Sequence, residues 1–386
     1  MTAKSAPLAG VVVVSIEQAV SAAYASRHLA ELGATVIKIE RPEGDFARDY
    51  DSIVHGEATF FVWANRGKHS VVLNLKDADD LAKFHALVKG ADVVIQNLAP
   101  GAAARMGIDG PTLRETNPSL ITCEISGYGS DGPRSSDRAY DLAIQAEAGL
   151  FSVTGSDEMS KVGISVADIS AGMYSLSSIL AALFRREQTG EGANIEVAML
   201  DVVTEWVAPA MYGAVYSGSQ PARTGRRHHG IAPYGTYSLN DGSTILIAVQ
   251  NDREWQRLAS LVLNDPALAT DVELATNAGR IKNVERLEIA MNHILSQRDA
   301  TMIRELLAKH EITSANVNDL QGVWEHEQLR ARDRFEKIDI PGGSAEVLKS
   351  PFNISNWDNE TLGVPALNQH DAEIIDAVIQ RGRDHT

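Results

Sequence analysis

Two aspartates stand where predicted helices begin, and a carboxylate in that place can act as a nucleophile or as a general acid–base group. A helical face over 169–186 is predicted by apolar residues at Ile169, Met173, Leu176, Ile179, Leu180 and Leu183. Asp168 then falls at the N-cap and Gly190 ends the helix. Asp141 likewise precedes a predicted helix within 138–150. An N-cap aspartate stabilises a helix by ~1 kcal/mol, so capping alone accounts for either residue and chemistry is the alternative.

Other side chains narrow the choice of chemistry. The Gly-x-Ser-x-Gly pattern of serine hydrolases and the His-Glu-x-x-His pattern of zinc proteases are absent from the sequence. His228 and His229 are adjacent, and neighbours on an extended chain point to opposite sides, so we expect no metal site there. Arg41, Arg105 and Arg138 each lie at or beside a predicted strand end, where open α/β sheets bind ligands.

Charge and cysteine content restrict the partners and the compartment. The 386 residues include 35 Lys and Arg against 51 Asp and Glu, a formal net charge of −16. We therefore expect neither nucleic acid nor an anionic membrane as a partner, although a small anion needs only a local basic pocket. The single cysteine, Cys123, lies in an apolar stretch, and we expect it to be buried and reduced. We find no signal-peptide pattern and no apolar run long enough to span a bilayer, which predicts a cytoplasmic protein.

Strands alternate with helices in the first half of the chain. The predicted strands cover 10–18, 34–40, 69–75, 91–97, 119–126 and 193–200. The predicted helices between and after them cover 21–32, 77–90, the Asp168 segment and a stretch ending near 216. This alternation predicts a mostly parallel sheet with helices on both faces. No Gly-x-Gly-x-x-Gly follows the first strand and there is no Walker loop, so the usual nucleotide-binding enzymes are excluded.

The composition changes at 217–237, which is dense in Gly, Pro, Ser and basic residues. A strand over 243–250 and helices near 254–263, 283–297 and 302–312 follow, and they predict a smaller α+β domain. We predict a large α/β domain over 1–225, the small domain over 226–325, and a C-terminal segment over 326–386.

Six ordered motifs resemble one family. They are GATVIKIERPEGDFAR (33–48), NRGKHSVVLNLK (65–76), QNLAPGAAARMGID (96–109), ISGYGSDGPRSSDRAYD (125–141), the Asp168 segment and QTGEGANIEVAMLDVV (188–203). PALNQHDAEII (365–375) resembles the closing motif of the same family, with Asn368 in place of glycine. On these motifs the chain is identified as a member of the family III coenzyme A transferases (CaiB/BaiF type), which are related to formyl-CoA transferase and alpha-methylacyl-CoA racemase.

The resemblance implies a fold and an assembly. The fold is a large Rossmann-like α/β domain, to which the C-terminal segment returns, plus the smaller α+β domain. Two chains are expected to form an interlocked homodimer. Coenzyme A enters as a thioester substrate, with no metal and no tightly bound cofactor.

The resemblance also assigns residues. Asp168 takes the place of the nucleophile, which attacks an acyl-CoA and passes through an aspartyl anhydride and an aspartyl-CoA thioester. A helix N-terminus is expected to keep this carboxylate ionised and to offer amides to an oxyanion. The positions that match the CoA site are Arg41, Leu73, Asn97, Leu98, Arg105, Met106 and Arg138. Gln18 is out of register with the glutamine of formyl-CoA transferase, and the 228–235 segment, with Gly230 and Gly235 as mobile points, replaces that enzyme's glycine run.

Two other functions remain open at this point. An acyl-CoA racemase or epimerase would need a histidine before the second acid, and Tyr140 stands there instead, a weak base because free tyrosine titrates near ~10. A non-catalytic CoA-binding protein is the other alternative, which an intact Asp168 disfavours. The basic cluster at 226–229 favours short dicarboxylate acceptors such as succinate, malate, mesaconate or itaconate.

Overall fold

A parallel sheet of six strands organises the computed structural model, which describes residues 6–357 and 362–384. Its strands are β1 (Val12–Ile16), β2 (Thr35–Glu40), β3 (Lys68–Val72), β4 (Val93–Gln96), β5 (Ile121–Ser126) and β6 (Asn194–Ala198). They lie in the order β3-β2-β1-β4-β5-β6 and every pairing is parallel. This is the strand order of the Rossmann fold, so the predicted fold class is confirmed.

The helices of the described residues are numbered along the chain. They are α1 (Ser21–Glu31), α2 (Thr59–Ala64), α3 (Ala78–Lys89), α4 (Ala102–Met106), α5 (Gly110–Thr116), α6 (Asp141–Glu147), α7 (Leu150–Val153), α8 (Val166–Thr189), α9 (Met199–Ser217), α10 (Asp252–Arg257), α11 (Pro266–Thr270), α12 (Asn277–Lys282), α13 (Val284–Leu295), α14 (Ala300–Lys309), α15 (Leu320–Trp324), α16 (Glu327–Ala331) and α17 (Ala372–Asp384).

The sheet is buried on both faces, as its uninterrupted apolar strands predict. Val13 on β1 packs in one core with side chains of α1 and α8. Its neighbours Val12 and Val14 point to a second core, which contains side chains of α3 and α17. The prediction of helices on both faces is therefore confirmed. Cys123 on β5 is fully buried in the first core, as the sequence predicts.

The chain divides into two compact units. One unit takes in residues up to 150, residues 161–212 and residues from 329 onward; it contains the parallel sheet and a hairpin of β10 (Phe335–Ile340) and β11 (Gly343–Leu348). The other covers 151–160 and 213–328 and has its own apolar core. Its antiparallel sheet joins β7 (Tyr234–Ser238), β8 (Thr244–Ala248) and β9 (Thr313–Asn316). The predicted domain boundaries after 225 and 325 stay predictions.

Helix α8 differs from its prediction at one end. It begins at Val166 with Ser165 as the N-cap, so the prediction that Asp168 is the N-cap is wrong; Asp168 lies in the first turn. Gly190 ends the helix with a left-handed backbone (φ 72°), as predicted. By length and composition α8 could cross a bilayer, contrary to the expectation from apolar runs. It packs against α1 and the sheet, and its buried residues belong to the core.

Helix α8 approaches α1 closely at a glycine. A Cβ atom added to Gly172 would lie 2.7 Å from the backbone oxygen of Ser21 and 3.1 Å from the Tyr24 side chain. Glycine is therefore required for this contact. Because Gly172 follows Asp168 by one helical turn, the contact fixes where the Asp168 end of α8 lies relative to the sheet.

Candidate active site

A cavity of about 710 Å³ opens at the carboxyl ends of the parallel strands. Its lining includes five of the residues that the resemblance assigns: Arg41, Asn97, Leu98, Arg138 and Asp168. Arg41 follows β2, and Asn97 and Leu98 follow β4. The strand order reverses between β1 and β4, and open α/β sheets bind ligands at such a switch point. The fold thus places the cavity where the topology predicts a ligand.

Two further cavities share its wall. Leu98 lines all three. One of about 760 Å³ also contains Arg105, and one of about 190 Å³ contains Arg41, Leu73 and Met106. Leu73 is only 5% exposed, so its side chain belongs mainly to the core below. Each predicted site residue therefore lines at least one of these three neighbouring cavities.

The switch point is bridged by hydrogen bonds between the β1 and β4 loops. The Asn97 side chain accepts from the backbone N–H of Gln18 (3.0 Å) and donates to its carbonyl (2.9 Å). Asn97 therefore holds the floor of the cavity together. Gln18 lines the same cavity. The sequence analysis assigned it no role, because only the folded loop shows its pairing with a residue 79 positions away.

A buried ion pair supports the same floor from below. Lys38 donates to the Asp45 carboxylate (2.8 Å), and both side chains are almost fully buried. The other Asp45 oxygen accepts the backbone N–H of Ala19 (3.1 Å), which has a left-handed backbone (φ 58°). Such a conformation is costly for a residue with a Cβ and needs support from its surroundings. The sequence analysis missed this pair, since an isolated lysine on a strand resembles any surface lysine.

The arginine side chains of the site differ in whether they already make hydrogen bonds within the protein. Arg41 donates to the carbonyl of Gly44 (2.8 Å). Arg105 and Arg138 are exposed, and their side chains make no hydrogen bond or ion pair with any other residue that the structure describes. Lys76, which the sequence analysis did not single out, is also exposed and lines the smallest cavity with Arg41. These cations can bind anionic groups such as the phosphates of a nucleotide.

Asp168 is partly buried, and its charge is disfavoured. Burial raises the pKa of Asp168 from 3.8 to about 7, and the negative charge of Asp141 adds to the effect. About half of the Asp168 carboxyls are then ionised at neutral pH. The expectation that the helix N-terminus keeps Asp168 ionised is therefore wrong, because burial outweighs the effect of the helix end. Asp141 also occupies that end: it accepts the backbone N–H of Ala167 (2.8 Å) and of Asp168 (3.4 Å).

Two tyrosines line the Asp168 cavity. Burial raises the pKa of Tyr50 to about 12, with smaller contributions from the charges of Asp45 and Asp168. Its phenol is accordingly protonated at neutral pH and can only donate or accept a hydrogen bond. Tyr140 is 72% exposed and precedes α6. Asp168 is therefore the group of this cavity with a pKa near 7, which is where a nucleophile or base is most useful.

Other candidates for chemistry are weaker. Burial raises the pKa of Cys123 to about 12, so the thiol is unreactive. No group of three or more His, Cys, Asp or Glu in the described ranges could hold a metal ion. His228 and His229 belong to the other compact unit, where their rings stack with 4.6 Å between centroids, so the expectation that they point to opposite sides is wrong. His228 also stacks on Tyr234 at 5.2 Å, so this ring is held in place.

Known proteins resemble the chain along most of its length. The sequence pattern of "CoA-transferase family III" matches residues 8–371. An acetyl-CoA:oxalate CoA-transferase of Acetobacter aceti is 32% identical over 95% of this chain and 95% of its own. A succinate–glutarate CoA-transferase of Agrobacterium fabrum is 33% identical over 97% and 96%. The crystal structure of a CAIB/BAIF family protein from Brucella suis matches with a TM-score of 0.87 and 34% identity, covering 97% of this chain and 100% of that one.

Proposed function

The chain belongs to CoA-transferase family III, and we propose that it moves CoA from an acyl-CoA to a short dicarboxylic acid, with Asp168 as the covalent nucleophile. The single observation that carries the mechanism is the state of Asp168. Its carboxyl is partly buried, has a pKa of about 7 and lines a cavity with two arginines at the strand ends. A carboxylate of raised pKa is both available near neutral pH and more nucleophilic than an ordinary one.

The proposed reaction has four exchanges at carbonyl carbons. An Asp168 oxygen attacks the thioester carbon of the donor, which forms an anhydride and releases the CoA thiolate. The thiolate attacks the Asp168 carbonyl, forms an aspartyl-CoA thioester and releases the donor acid. The acceptor carboxylate then attacks this thioester, giving a second anhydride and the thiolate again. Attack of the thiolate on the acceptor carbonyl completes the new acyl-CoA and restores the Asp168 carboxylate. Each step exchanges one acyl bond for another, so no ATP or metal is required.

The CoA nucleotide is proposed to bind along the connected cavities. Arg41, Arg105 and Arg138 supply positive charge, and Lys76 adds a fourth cation. Leu73, Leu98 and Met106 offer apolar surface at the smallest cavity, while Asn97 shapes the loops around it. The chain as a whole is acidic, so these four cations are the groups of the lining that would attract the phosphates.

The acceptor is proposed to be a short dicarboxylate. The two named relatives carry oxalate, succinate and glutarate in their names. The basic cluster at 226–229 is the proposed partner of the second carboxylate. Arg226 and Arg227 line a cavity of about 560 Å³ within their own unit, together with Glu285 and Glu288. Arg227→Ala should raise the KM for dicarboxylates and leave the KM for monocarboxylates unchanged. An equal effect on both acid classes would contradict this assignment.

The assembly is proposed to be an interlocked homodimer. Helix α9 leaves large apolar side chains exposed: Trp206, Met211, Tyr212, Val215 and Tyr216. Contiguous exposed apolar residues of this size are typical of protein interfaces. Sedimentation equilibrium should give twice the mass of one chain, and a monomer at micromolar concentration would contradict the proposal.

Covalent trapping tests the mechanism. Incubation with succinyl-CoA or acetyl-CoA and no acceptor should leave enzyme heavier by CoA minus water, with the label on the peptide that contains Asp168. Hydroxylamine should convert the label to an aspartyl hydroxamate, because activated acyl groups react and free carboxylates do not. Asp168→Ala should abolish both label and turnover.

The matched control is Asp201→Ala. Asp201 is an exposed acid in the first turn of α9, so the variant makes the same change in the same helical position and should keep both label and turnover. Active enzyme with no label at Asp168 would exclude the proposed mechanism. A panel of donors against oxalate, succinate, glutarate and mesaconate, read by mass spectrometry, would then identify the acceptor.

A further inference from the structure

Asp141 touches the helix that carries the nucleophile but takes no part in the proposed exchanges. One carboxylate oxygen accepts the backbone N–H of Ala167 at 2.8 Å and that of Asp168 at 3.4 Å. The first amides of a helix have no partner inside the helix. The true N-cap, Ser165, makes no capping bond with its side chain. Asp141 therefore supplies from another helix the cap that α8 lacks.

Asp141 is itself held by a buried amide. Its second oxygen accepts from Gln145 Nε2 at 2.7 Å, and Gln145 is only 1% exposed. The Gln145 side-chain oxygen accepts the backbone N–H of Val162 at 3.0 Å, and its nitrogen also approaches the carbonyl of Ile164 at 3.4 Å. One side chain of α6 thus fixes both Asp141 and the segment that leads into α8. The hydrogen bonds to Gln145 and to the α8 amides therefore hold the Asp141 carboxylate in one orientation.

We propose that Asp141 is a positioning residue for the nucleophile: it closes the amino end of α8 and keeps a fixed negative charge beside the Asp168 carboxylate. This inference rests on the proposed function, since it assumes that Asp168 is the nucleophile. It also means that the amides of Ala167 and Asp168 are already occupied, so oxyanion stabilisation has to come from other donors.

The other charged and titratable groups around Asp168 are few. Arg41, Asp137 and Arg138 line the same cavity from the loops after β2 and before α6, and Tyr50 and Tyr140 are the phenols of that lining. Of these groups, none contributes to the raised pKa of Asp168, which follows from burial first and from Asp141 second. Asp141 is therefore the neighbour whose charge should govern how readily Asp168 gives up its proton.

Asp141→Asn separates charge from capping. The asparagine keeps an oxygen that can accept the α8 amides, but it removes the negative charge and turns an NH2 group toward Gln145 Nε2, which is itself a donor. The titration midpoint of Asp168 should fall by about half a pH unit or more. The midpoint would be read in enzyme without substrate from the infrared carbonyl band of the protonated acid, as the difference between each protein and the same protein carrying Asp168→Asn. Wild type should titrate at about 7.

The matched control is Glu147→Gln. Glu147 ends the same helix α6, pairs with Arg134 at 2.6 Å and is 46% exposed, so this variant makes the same charge change away from Asp168 and should leave the midpoint unchanged. Asp141→Glu restores the charge with a longer side chain; its midpoint should stay near that of wild type while adduct formation slows at least tenfold through misplacement. Equal midpoints in wild type and Asp141→Asn would overturn the proposal, even if activity falls.

The infrared midpoints do not depend on the proposed function. If covalent trapping places no label on Asp168, the mechanism fails while the infrared titration still reports on Asp141. If Asp168 is labelled but its titration midpoint is the same in wild type and in Asp141→Asn, the mechanism stands and the positioning role fails. Should Asp141→Asn not fold, the Asp141→Glu variant decides, because a purely structural cap predicts equal rates once α8 is closed.

Discussion

The pH dependence of the first half-reaction is the most direct test of how Asp168 works. Only the ionised carboxylate can attack a thioester, so the rate should follow its ionised fraction. With a pKa of about 7, that fraction is about one in eleven at pH 6 and about ten in eleven at pH 8. The value of kcat/KM for the donor should therefore rise about tenfold between pH 6 and pH 8, because this ratio reports groups of the free enzyme.

The assay is single-turnover formation of the Asp168 adduct, quenched in acid and counted by mass spectrometry, at donor concentrations well below KM. Acid quenching avoids a thiol reagent whose own reactivity depends on pH. The 3′-phosphate of CoA could produce a false profile, since a phosphate monoester titrates near ~6. A dephospho-CoA thioester removes that group and should give the same midpoint.

An Asp168 carboxyl with the ordinary pKa of 3.8 would be fully ionised throughout this range. A flat profile from pH 6 to pH 8 would then refute the argument that burial and Asp141 set the reactivity. A profile that moves with the dephospho substrate would assign the titration to the ligand. Only a midpoint that is common to both donors and altered in Asp141→Asn supports control of Asp168 by burial and by the charge of Asp141.

The same geometry predicts three further results. Because the folded-state pKa of Asp168 lies above its ordinary value, protonation stabilises the fold, and the free energy of unfolding falls as pH rises from about 4 to 7. The melting temperature of Asp168→Asn should therefore equal that of wild type at pH 4 and exceed it at pH 8. The control variant Asp201→Asn should melt like wild type at both pH values. Gly172→Ala forces α8 away from Ser21 and should cost about 1–3 kcal/mol of stability and most of the activity. The control Gly213→Ala lies on α9 with open space around its Cβ position and should not destabilise the fold. Equal melting temperatures of the two variants would contradict the close approach of α8 to α1. A 2-methylacyl-CoA incubated in deuterated water should gain no α-deuterium, since Tyr140 replaces the histidine base, and rapid incorporation by mass spectrometry would favour the racemase alternative.

The arrangement of the sheet could be predicted from the sequence because its strands are buried on both faces. Continuous apolar runs such as those around Val13 and Val94 leave little choice between strand and helix when glycine or polar loops bound them. The strands of the smaller sheets are harder to predict from the sequence. All four residues of β9 are exposed, so no apolar pattern marks them. The β10–β11 hairpin closes at Pro341 and Gly342, a turn signal that marks the bend but not the two strands beside it.

The site was only partly predictable for a different reason. Sequence motifs give the positions of Asp168 and of the strand-end arginines, and strand ends of a parallel sheet converge on one edge. The start of α8 could not be placed within three residues, because Ser165 and Asp168 are both acceptable caps. The contact between Asp141 and the α8 amides joins residues 26 and 27 positions apart through a loop of irregular structure, which no local pattern encodes.

Opposing effects act on Asp168, and their magnitudes decide its state. A free helix N-terminus stabilises an adjacent carboxylate by about 0.3–1 kcal/mol, which lowers its pKa by less than one unit. The rise from 3.8 to about 7 corresponds to about 4 kcal/mol in the other direction at 1.36 kcal/mol per unit. Burial therefore outweighs the helix end even before Asp141 occupies the amides. The same comparison explains why an acid in the first turn of a helix, usually a stabilising residue, is here held in a costly state: the fold maintains a carboxylate that ionises near neutral pH, in a cavity that Arg41 and Arg138 also line. In the proposed mechanism, exposure of Asp168 to water would remove its raised pKa, because burial is the largest cause of that rise.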